Sequence, residues 1–498
     1  MNYDLIVIGS GPGGYPAAAA GVKAGFKTLL IENRDLGGTC LNRGCIPTKT
    51  FCRAAEFAAE FAAFAGGAAQ ASPTAPAAVD MEQLQLRKEQ IVTQLRDNLA
   101  FSLQGVEILH GTASFTGPHE IAVTTNPQAE GDSATAAETL RFTAPRIIVA
   151  TGSKPSVLPI PGSELCLNSD QVLSLQHIPE SLAIIGGGVI GMEFADIFNS
   201  FGTQVTVIEY CKEILPGFDR DIAKRLRSTL QRRGIKFFTS AAAEAVEATE
   251  TGRRVLFSSK GKQAVTEAEM VLMAVGRKTV VPDGLAEAGA EITPKGIVTD
   301  PDTFATTIPG VYAVGDCNGR TLLAHAATAQ ATHLLHLLAA DASRPSIPDS
   351  AVEATTPSSE EASCSPVLLS IDSALSPIPA AVFTRPEIAM TGLTEEAAEA
   401  QGLNFIVSKI PVRSNGKALI MDATEGLVKL IVEKPAEGAS PLSGRILGCH
   451  IMGPHASDLI MEASLAISAN LPVEALVRAI HPHPTLSELI HSVAENIC

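Results

Sequence analysis

Two cysteines close together in the sequence are the residues of this chain best suited to redox chemistry. Cys40 and Cys45 lie in the segment GGTCLNRGCIPTK at 37–49, with four residues between them. Positions i and i+5 of a regular α-helix are about 8.7 Å apart at Cα, whereas a disulfide spans at most about 7 Å. If the two cysteines pair, the residues between them cannot form one regular helix, and Gly44 supplies the backbone freedom for an interruption.

The residues after Cys45 predict a helix that begins beside this cysteine. Pro47 stands where a first-turn proline is favoured, and an alanine-rich run follows it. The positive end of the helix dipole would stabilise a Cys45 thiolate, the reactive form of the group. A structural disulfide and a metal site that lacks its other ligands stay open as alternatives, because spacing alone does not separate them from a redox pair.

Two stretches of the chain carry the same dinucleotide-binding pattern. In residues 4–32 a predicted strand leads through a glycine turn into a helix and a second strand, and residues 181–209 repeat that order. Such turns let the backbone approach a pyrophosphate, and the acid that ends the second strand is placed to bond a ribose hydroxyl. The residues concerned are Gly9, Gly11, Gly14 and Glu32 in the first module, and Gly186, Gly188, Gly191 and Glu209 in the second.

The acid that ends the second module indicates which nicotinamide cofactor it binds. Glu209 lies 23 residues after Gly186, the same spacing that separates Glu32 from Gly9. A carboxylate suits the free ribose 2′-hydroxyl of NAD and repels the 2′-phosphate of NADP. The sequence therefore favours NAD, although Lys212 nearby carries the charge that a phosphate would prefer.

Composition and charge exclude several classes of protein. The chain has 498 residues, 46% hydrophobic and 18% charged, as in an ordinary soluble globular protein of roughly three or four domains. Its formal net charge of −16 argues against nucleic-acid or anionic-membrane partners. No signal peptide or membrane-spanning stretch is predicted, and no metal is expected. The nine cysteines, mostly scattered singly, suit a reducing compartment, so we expect a cytoplasmic protein.

The last motif of the chain could hold an acid–base pair. In HPHPTLSE at 481–488, the carboxylate of Glu488 could orient His483, a residue type that titrates near neutral pH. Thr485 and Glu488 also fit a capping box, in which Glu488 would only close the start of a helix. Earlier in the chain, Asp316 ends a short predicted strand and could likewise bond a cofactor hydroxyl or merely stabilise a turn.

Together these motifs resemble those of the flavin-dependent disulfide oxidoreductases over nearly the whole chain. The resemblance rests on GSGPGG at 9–14, GGTCLNRGCIPTK at 37–49, GGGVIGMEF at 186–194, AVGR at 274–277, GVYAVGD at 310–316 and HPHPTLSE at 481–488. It implies an α/β fold with two Rossmann-like dinucleotide-binding domains and a C-terminal α+β dimerisation domain. The expected divisions are an FAD-binding domain at 1–151 and 277–340, an NAD-binding domain at 152–276, a Ser/Pro-rich linker at 341–379 and an interface domain at 380–498.

The resemblance also implies a role for each residue of the site. FAD would lie on the first module with Gly152, Asp316 and Lys49, and NAD on the second with Gly276. Cys45 would be the flavin-side sulfur and Cys40 the sulfur that exchanges with substrate. Lys49 and Glu193 would form an ion pair near the flavin. His483 would be the base and Glu488 its orienter, both supplied by the other subunit of a homodimer.

The reaction implied is oxidation of a dihydrolipoyl group with reduction of NAD⁺. The group would be carried by a protein of a 2-oxo acid dehydrogenase or glycine-cleavage system. Arg43 stands where many relatives have a smaller residue, and its charge could tune the pKa of the thiols or the choice of dithiol. Glutathione-type and mercuric reductases, and a flavin-containing docking subunit, are the alternatives. The first would need arginines near Glu209, and the second a C-terminal thiol pair where only Cys498 stands.

Overall fold

The computed structural model describes residues 2–64, 79–126, 129–130, 133–134, 138–342 and 377–497. The linker predicted at 341–379 lies largely outside these ranges, as do most of residues 66–79 and 125–137 and Cys498. The described chain forms two compact units. Unit 1 takes its residues from Met1–Gly38, Arg96–Ser153 and Thr279–Ala374, and unit 2 from Thr39–Leu95, Lys154–Lys278 and Leu375–Cys498.

The helices and strands alternate along much of the chain. Within the described ranges the α-helices are α1 (Gly14–Lys23), α2 (Gly38–Arg43), α3 (Cys45–Phe64), α4 (Met81–Ser102), α5 (Ser169–Val172), α6 (Val189–Ser200), α7 (Arg220–Arg232), α8 (Ala324–Ala342), α9 (Glu395–Ala400), α10 (Gly416–Ile420), α11 (Ala456–Ser468), α12 (Glu474–Arg478) and α13 (Glu488–Glu495). Short 3₁₀ helices cover Ser163–Leu165, Gly315–Asn318, Val412–Ser414 and Pro441–Ser443.

The strands are short, and most belong to larger sheets. In the same ranges they are β1 (Leu5–Ile8), β2 (Thr28–Glu32), β3 (Glu107–Gly117), β4 (Glu120–Thr125), β5 (Ala129–Glu130), β6 (Ser133–Ala134), β7 (Thr139–Thr143), β8 (Arg146–Val149), β9 (Ser153–Pro155), β10 (Ser181–Ile185), β11 (Gln204–Glu209), β12 (Lys236–Thr239), β13 (Ala241–Ala248), β14 (Arg253–Ser259), β15 (Lys262–Ala268), β16 (Met270–Met273), β17 (Arg277–Thr279), β18 (Ile292–Thr293), β19 (Gly296–Ile297), β20 (Val311–Ala313), β21 (Ala380–Val382), β22 (Glu387–Gly392), β23 (Phe405–Pro411), β24 (Leu427–Glu433) and β25 (Ile446–Gly453).

Unit 1 is built on a seven-stranded sheet in the order β20–β8–β1–β2–β3–β4–β7. The strands from β20 to β3 pair in parallel, and β4 and β7 extend the sheet antiparallel. The central strands β1 and β2 are buried along their whole length, as expected of parallel strands covered on both faces. Helices α1 and α8 pack against each other in this unit.

Unit 2 contains the second dinucleotide module and the C-terminal sheet. A parallel sheet runs β12–β11–β10–β16, and a five-stranded antiparallel sheet runs β21–β22–β25–β24–β23. Helix α3 packs on α6, where Phe51 joins the same buried core as Phe198. The side chains of Gln85 and Lys88 on α4 donate hydrogen bonds to the Leu173 carbonyl oxygen.

The main expectations for the fold are confirmed. Each module forms as strand, glycine turn, helix and strand, and the α/β class with a C-terminal α+β region is present. The domain boundaries stay a prediction. Residues 39–95 cluster with unit 2 because α3 packs on α6, and the C-terminal sheet belongs to the same unit as the second module.

Candidate active site

The cysteine segment is helical except at one residue. Helix α2 ends at Arg43 and α3 begins at Cys45, so Gly44 alone interrupts the path between the two cysteines. A Cβ atom added at Gly44 would lie 2.9 Å from the Thr39 carbonyl oxygen, a contact that needs glycine. The helix predicted to begin beside Cys45 is therefore confirmed, and the break expected before it is confined to Gly44.

The two thiols are electrostatically unequal. Both are free in the structure and are hydrogen-bonded to each other. The pKa of Cys45 is lowered to about 7, first by the hydrogen bond from Cys40 and then, against the opposing effect of burial, by the charge of Lys49 and a backbone N–H. The pKa of Cys40 is raised by its hydrogen bond to Cys45 and by burial. When the pair is reduced, Cys45 carries the negative charge and Cys40 keeps its proton.

An ion pair on α3 and α6 lies next to these thiols. The Lys49 Nζ atom is 2.9 Å from each carboxylate oxygen of Glu193, whose side chain is 4% exposed. Burial alone would lower the pKa of Lys49, but Glu193 and the neighbouring thiols outweigh it and the pKa is raised. Lys49 therefore stays protonated and can act as a fixed positive charge on Cys45.

Glu488 makes both of the contacts that the sequence offered as alternatives. One oxygen, Oε1, lies 2.9 Å from His483 Nδ1, and the other, Oε2, accepts the Thr485 backbone N–H at 2.8 Å. The second contact is half of a capping box at the start of α13. The Thr485 hydroxyl donates to the Pro482 carbonyl oxygen, and the start of α13 has no side-chain cap hydrogen bond. The pKa of Glu488 is lowered by the Thr485 N–H and by His483.

The acid–base pair is not joined to the cysteines within one chain. The hydrogen bonds that His483 and Glu488 make to described residues go to each other and to Thr485. The His483 side chain is 79% exposed, which leaves its Nε2 atom free to meet a group from outside this chain.

The glycine turns of the two dinucleotide modules have the same internal packing. A Cβ atom added at Gly14 would lie 1.7 Å from the Gly9 carbonyl oxygen, and one at Gly191 would lie 2.0 Å from that of Gly186. A Cβ atom at Gly11 or Gly188 would meet no protein atom within 4 Å. Each turn therefore has the tight helix packing and the open backbone face that a pyrophosphate requires, so the residues present fit FAD and NAD.

The acids of the two modules also correspond. Glu32 accepts hydrogen bonds from the Ser10 N–H and hydroxyl, and Glu209 accepts the N–H groups of Gly187 and Cys211. Both carboxylates are 6% exposed. A carboxylate has about four acceptor positions, so each acid is held beside its glycine turn and can still accept a ribose hydroxyl.

The remaining cofactor residues lie at strand ends. Asp316 follows β20 and accepts a hydrogen bond from the Ser153 hydroxyl, within unit 1. The glycines Gly152 and Gly276 have positive φ angles of 68° and 105°, and a Cβ atom at either would meet no protein atom within 4 Å. These strand ends therefore have open backbone beside them.

Sequence reasoning missed Phe383, whereas the effect of Arg43 on the thiols stays a prediction. The Phe383 N–H donates to Glu193 across 190 residues of sequence, a distance that leaves no local spacing to recognise. Arg43 pairs with Asp170 at 3.6 Å, while the positive charge acting on both thiols is that of Lys49. Among the described residues no group of three or more His, Cys, Asp or Glu side chains could hold a metal ion.

Two dinucleotide-binding modules and a dithiol with one stabilised thiolate define a nucleotide-dependent disulfide oxidoreductase. The family model described as pyridine nucleotide-disulphide oxidoreductase matches residues 3–331, and the dimerisation domain of that family matches residues 378–494. The chain belongs to the pyridine nucleotide-disulphide oxidoreductase family. It is an enzyme that uses FAD and NAD, and its dimerisation domain supports a homodimer.

Curated relatives and solved structures extend over the whole chain. It is 36% identical to the dihydrolipoyl dehydrogenase of Thermus scotoductus, covering 99% of this chain and 97% of the relative. The corresponding enzyme of Bacillus subtilis is 34% identical over 99% and 96% of the two chains. The Cu(II) complex of the HOCl-induced flavoprotein disulfide reductase RclA from Escherichia coli has a TM-score of 0.80 at 26% identity, covering 99% of both chains. No described helix combines the length and apolar character needed to cross a membrane.

Proposed function

We propose that the chain acts as a dihydrolipoyl dehydrogenase, oxidising a protein-bound dihydrolipoyl group to its disulfide and reducing NAD⁺. The observation that carries the proposal is the placement of the two cysteines: Cys45 begins α3 with Lys49 one turn away, whereas Cys40 lies in α2, so the two thiols suit the two different tasks of a dithiol–disulfide exchange. Cys45 leaves readily as a thiolate, whereas Cys40 is released with a proton. The full-length relatives of 34–36% identity support the same activity.

The residues of this site account for every proton, bond and electron pair of the dithiol–disulfide exchange. One thiol of the substrate gives its proton to His483 Nε2 and attacks Cys40, which breaks the Cys40–Cys45 disulfide and releases Cys45 as a thiolate. The second thiol of the substrate then attacks the sulfur bound to Cys40 and closes the lipoyl disulfide. Cys40 leaves and takes up a proton, as its raised pKa favours. The substrate loses two electrons and the enzyme disulfide gains them.

Glu488, Lys49 and Glu193 support these steps without changing covalently. Glu488 holds His483 through Nδ1, so that Nε2 is the atom that accepts the proton. Lys49, fixed by Glu193, stabilises the Cys45 thiolate. FAD would be held by Gly9, Gly11, Gly14, Glu32 and Asp316, and NAD⁺ by the second module, and when bound they would supply the two-electron chemistry that returns the dithiol to the disulfide.

The acid–base pair serves the cysteines of a partner subunit in this proposal. The dimerisation-domain match and the exposed His483 side chain, which is hydrogen-bonded to neither cysteine, support that arrangement. The protein partner would be a lipoyl-bearing component of a 2-oxo acid dehydrogenase or glycine-cleavage system. A cytoplasmic location accords with the unpaired cysteines of the described chain.

A direct assay tests the proposal. The purified holoenzyme should reduce NAD⁺ with dihydrolipoamide and oxidise NADH with lipoamide, with no added thiol. Glutathione disulfide, offered at the same concentration with NADH or NADPH, is the matched control and should be turned over far more slowly. Rapid reduction of glutathione disulfide without lipoamide activity would replace this proposal with a glutathione-type reductase.

The second module should make NADH strongly preferred over NADPH. The buried Glu209 carboxylate would face the 2′-phosphate of NADPH, and a cost of about 1.4 kcal/mol corresponds to a tenfold loss. We expect kcat/KM for NADH to exceed that for NADPH at least about tenfold. Glu209→Gln should lower this NADH-to-NADPH ratio. Comparable kcat/KM values in the unsubstituted enzyme would show that Lys212 or another group accepts the phosphate, against the assignment of NAD.

A further inference from the structure

The turn between β21 and β22 reaches two buried carboxylates of α6. The Phe383 N–H donates to Glu193 Oε1 at 3.0 Å, and the Arg385 N–H donates to Asp196 Oδ2 at 2.9 Å. The Glu193 and Asp196 side chains are only 4% and 3% exposed. Because both donors are backbone groups of one short segment, Phe383 is held at a fixed place beside α6.

The ring of Phe383 contacts the other member of the ion pair. Lys49 Nζ lies 4.5 Å from the ring centroid and is also bonded to both oxygens of Glu193. A cation at this distance is attracted to the negative face of an aromatic ring. One residue from the C-terminal region thus touches the Lys49–Glu193 pair twice, through its ring and through its N–H.

The position of Lys49 matters because opposed charges surround Cys45. Lys49 and Cys52 stand at i+4 and i+7 from Cys45, on the same face of α3. The Lys49 charge lowers the pKa of the Cys45 thiol, whereas Glu193 on α6 raises it, and Cys40 on α2 donates a hydrogen bond. If Lys49 Nζ moved away from Cys45, the charge of Glu193 would act on this thiol with less opposition, and the thiolate would be less stable.

We propose that Phe383 is a positioning residue of the redox centre, whose ring and N–H hold Lys49 and Glu193 so that the lysine charge stays beside Cys45. The ring restricts where the flexible lysine side chain can lie, and the N–H occupies part of the carboxylate. The inference deepens the proposed function and rests on it only for the importance of the Cys45 thiolate.

The test measures the acidity of Cys45 without turnover. In the Cys40→Ser holoenzyme a hydroxyl can still donate to Cys45, and iodoacetamide alkylation is followed from pH 5 to pH 10. Trypsin cleaves after Arg43 and Lys49, so the Cys45 peptide is separated from that of Cys52 and each is quantified by mass spectrometry. Adding Phe383→Leu should raise the apparent pKa of Cys45 by about half to one unit. Phe383→Tyr, which keeps the aromatic face, should leave the apparent pKa of Cys45 unchanged.

Two controls separate positioning from loss of packing. Phe257→Leu makes the same substitution in a separate core, where Phe257 packs against Phe238, and should not move the pKa of Cys45. In a Lys49→Met background, Phe383→Leu should add no further shift, because the charge it positions is gone. That background lacks the cleavage site at 49, so Cys45 and Cys52 share one tryptic peptide and fragmentation in the mass spectrometer assigns the alkylated cysteine. An unchanged pKa of Cys45 in Phe383→Leu, or an equal shift in Phe257→Leu, would overturn the inference. If Phe383→Leu fails to fold, Phe383→Met gives the same comparison.

The alkylation result is independent of the substrate. An enzyme that showed the expected shift but did not oxidise dihydrolipoamide would refute the proposed function and leave the role of Phe383 standing. An enzyme that oxidised dihydrolipoamide but showed no pKa shift in Phe383→Leu would support the proposed function and refute the role of Phe383.

Discussion

His483→Gln should depress dihydrolipoamide turnover by about 10²- to 10⁴-fold, the usual contribution of a positioned general base. His483 Nδ1 is bonded to Glu488, which leaves Nε2 as the atom that takes the substrate proton. Glutamine can keep a hydrogen bond to Glu488 but cannot titrate. Steady-state kcat with dihydrolipoamide and NAD⁺ is the measurement. NADH oxidation by an artificial electron acceptor serves as the control and should survive, because it bypasses the dithiol. Equal loss in both assays would mean that the substitution damages the enzyme more generally.

Glu488 offers a sharper comparison because its two oxygens have separate partners. In Glu488→Gln only one oxygen remains, so it can accept from Thr485 or face His483, but not both. An amide N–H directed at Nδ1 would also place the imidazole proton on Nε2, the wrong tautomer for a base. We expect Glu488→Gln to lower turnover while Tm changes little. Glu488→Ala should lower both turnover and Tm. Full activity in Glu488→Gln, with Glu488→Ala only melting earlier, would reduce Glu488 to a helix cap.

Cys40→Ser and Cys45→Ser should each abolish dihydrolipoamide turnover yet leave thiols of very different reactivity. Either change removes the disulfide through which the substrate is oxidised. Cys45, left alone at the start of α3 beside Lys49, should still be alkylated rapidly at neutral pH. Cys40, left alone, is half-buried like Cys45 but does not stand at the start of α3, so it should react at least about tenfold more slowly. Mass spectrometry of both proteins after a timed exposure to iodoacetamide gives the two rates.

The pH dependence of alkylation has a definite sign. The pKa of Cys45 is lowered from its usual 9.0 to about 7 in the folded enzyme, so its thiolate is present above that pH and lost as the pH falls through it. Alkylation of Cys45 in the reduced wild-type enzyme should therefore decline below about pH 7, while that of Cys40 should rise only in alkaline solution. If Cys40 were alkylated at lower pH than Cys45, the tasks proposed for the two cysteines would have to be exchanged.

The features that sequence could predict are those set by neighbouring residues. The close packing of Gly14 on Gly9, and of Gly191 on Gly186, requires glycine at fixed spacing and so leaves a recognisable pattern. The start of α3 at Cys45 is likewise local. Spacing left Glu488 with two alternatives, and the structure has both because a carboxylate has two oxygens.

Contacts between distant segments were beyond prediction from the residues themselves. The Lys49–Glu193 pair spans 144 residues and was expected only from the family resemblance. Phe383 was not expected at all, because its bond to Glu193 is made by a backbone N–H that any residue other than proline would supply. The pairing of Arg43 with Asp170 joins two helices whose packing no motif encodes.

The backbone bonds from Phe383 and Arg385 to α6 also bear on how such a chain can change in evolution. They fix the register of the C-terminal region at its first turn, immediately after residues 341–379, and they do so through peptide groups. Insertions or deletions upstream of β21 need not shift the residues that follow, since the segment is re-anchored before the rest of the sheet begins. The length of the sequence at 341–379 can therefore change in evolution without altering the surroundings of Lys49.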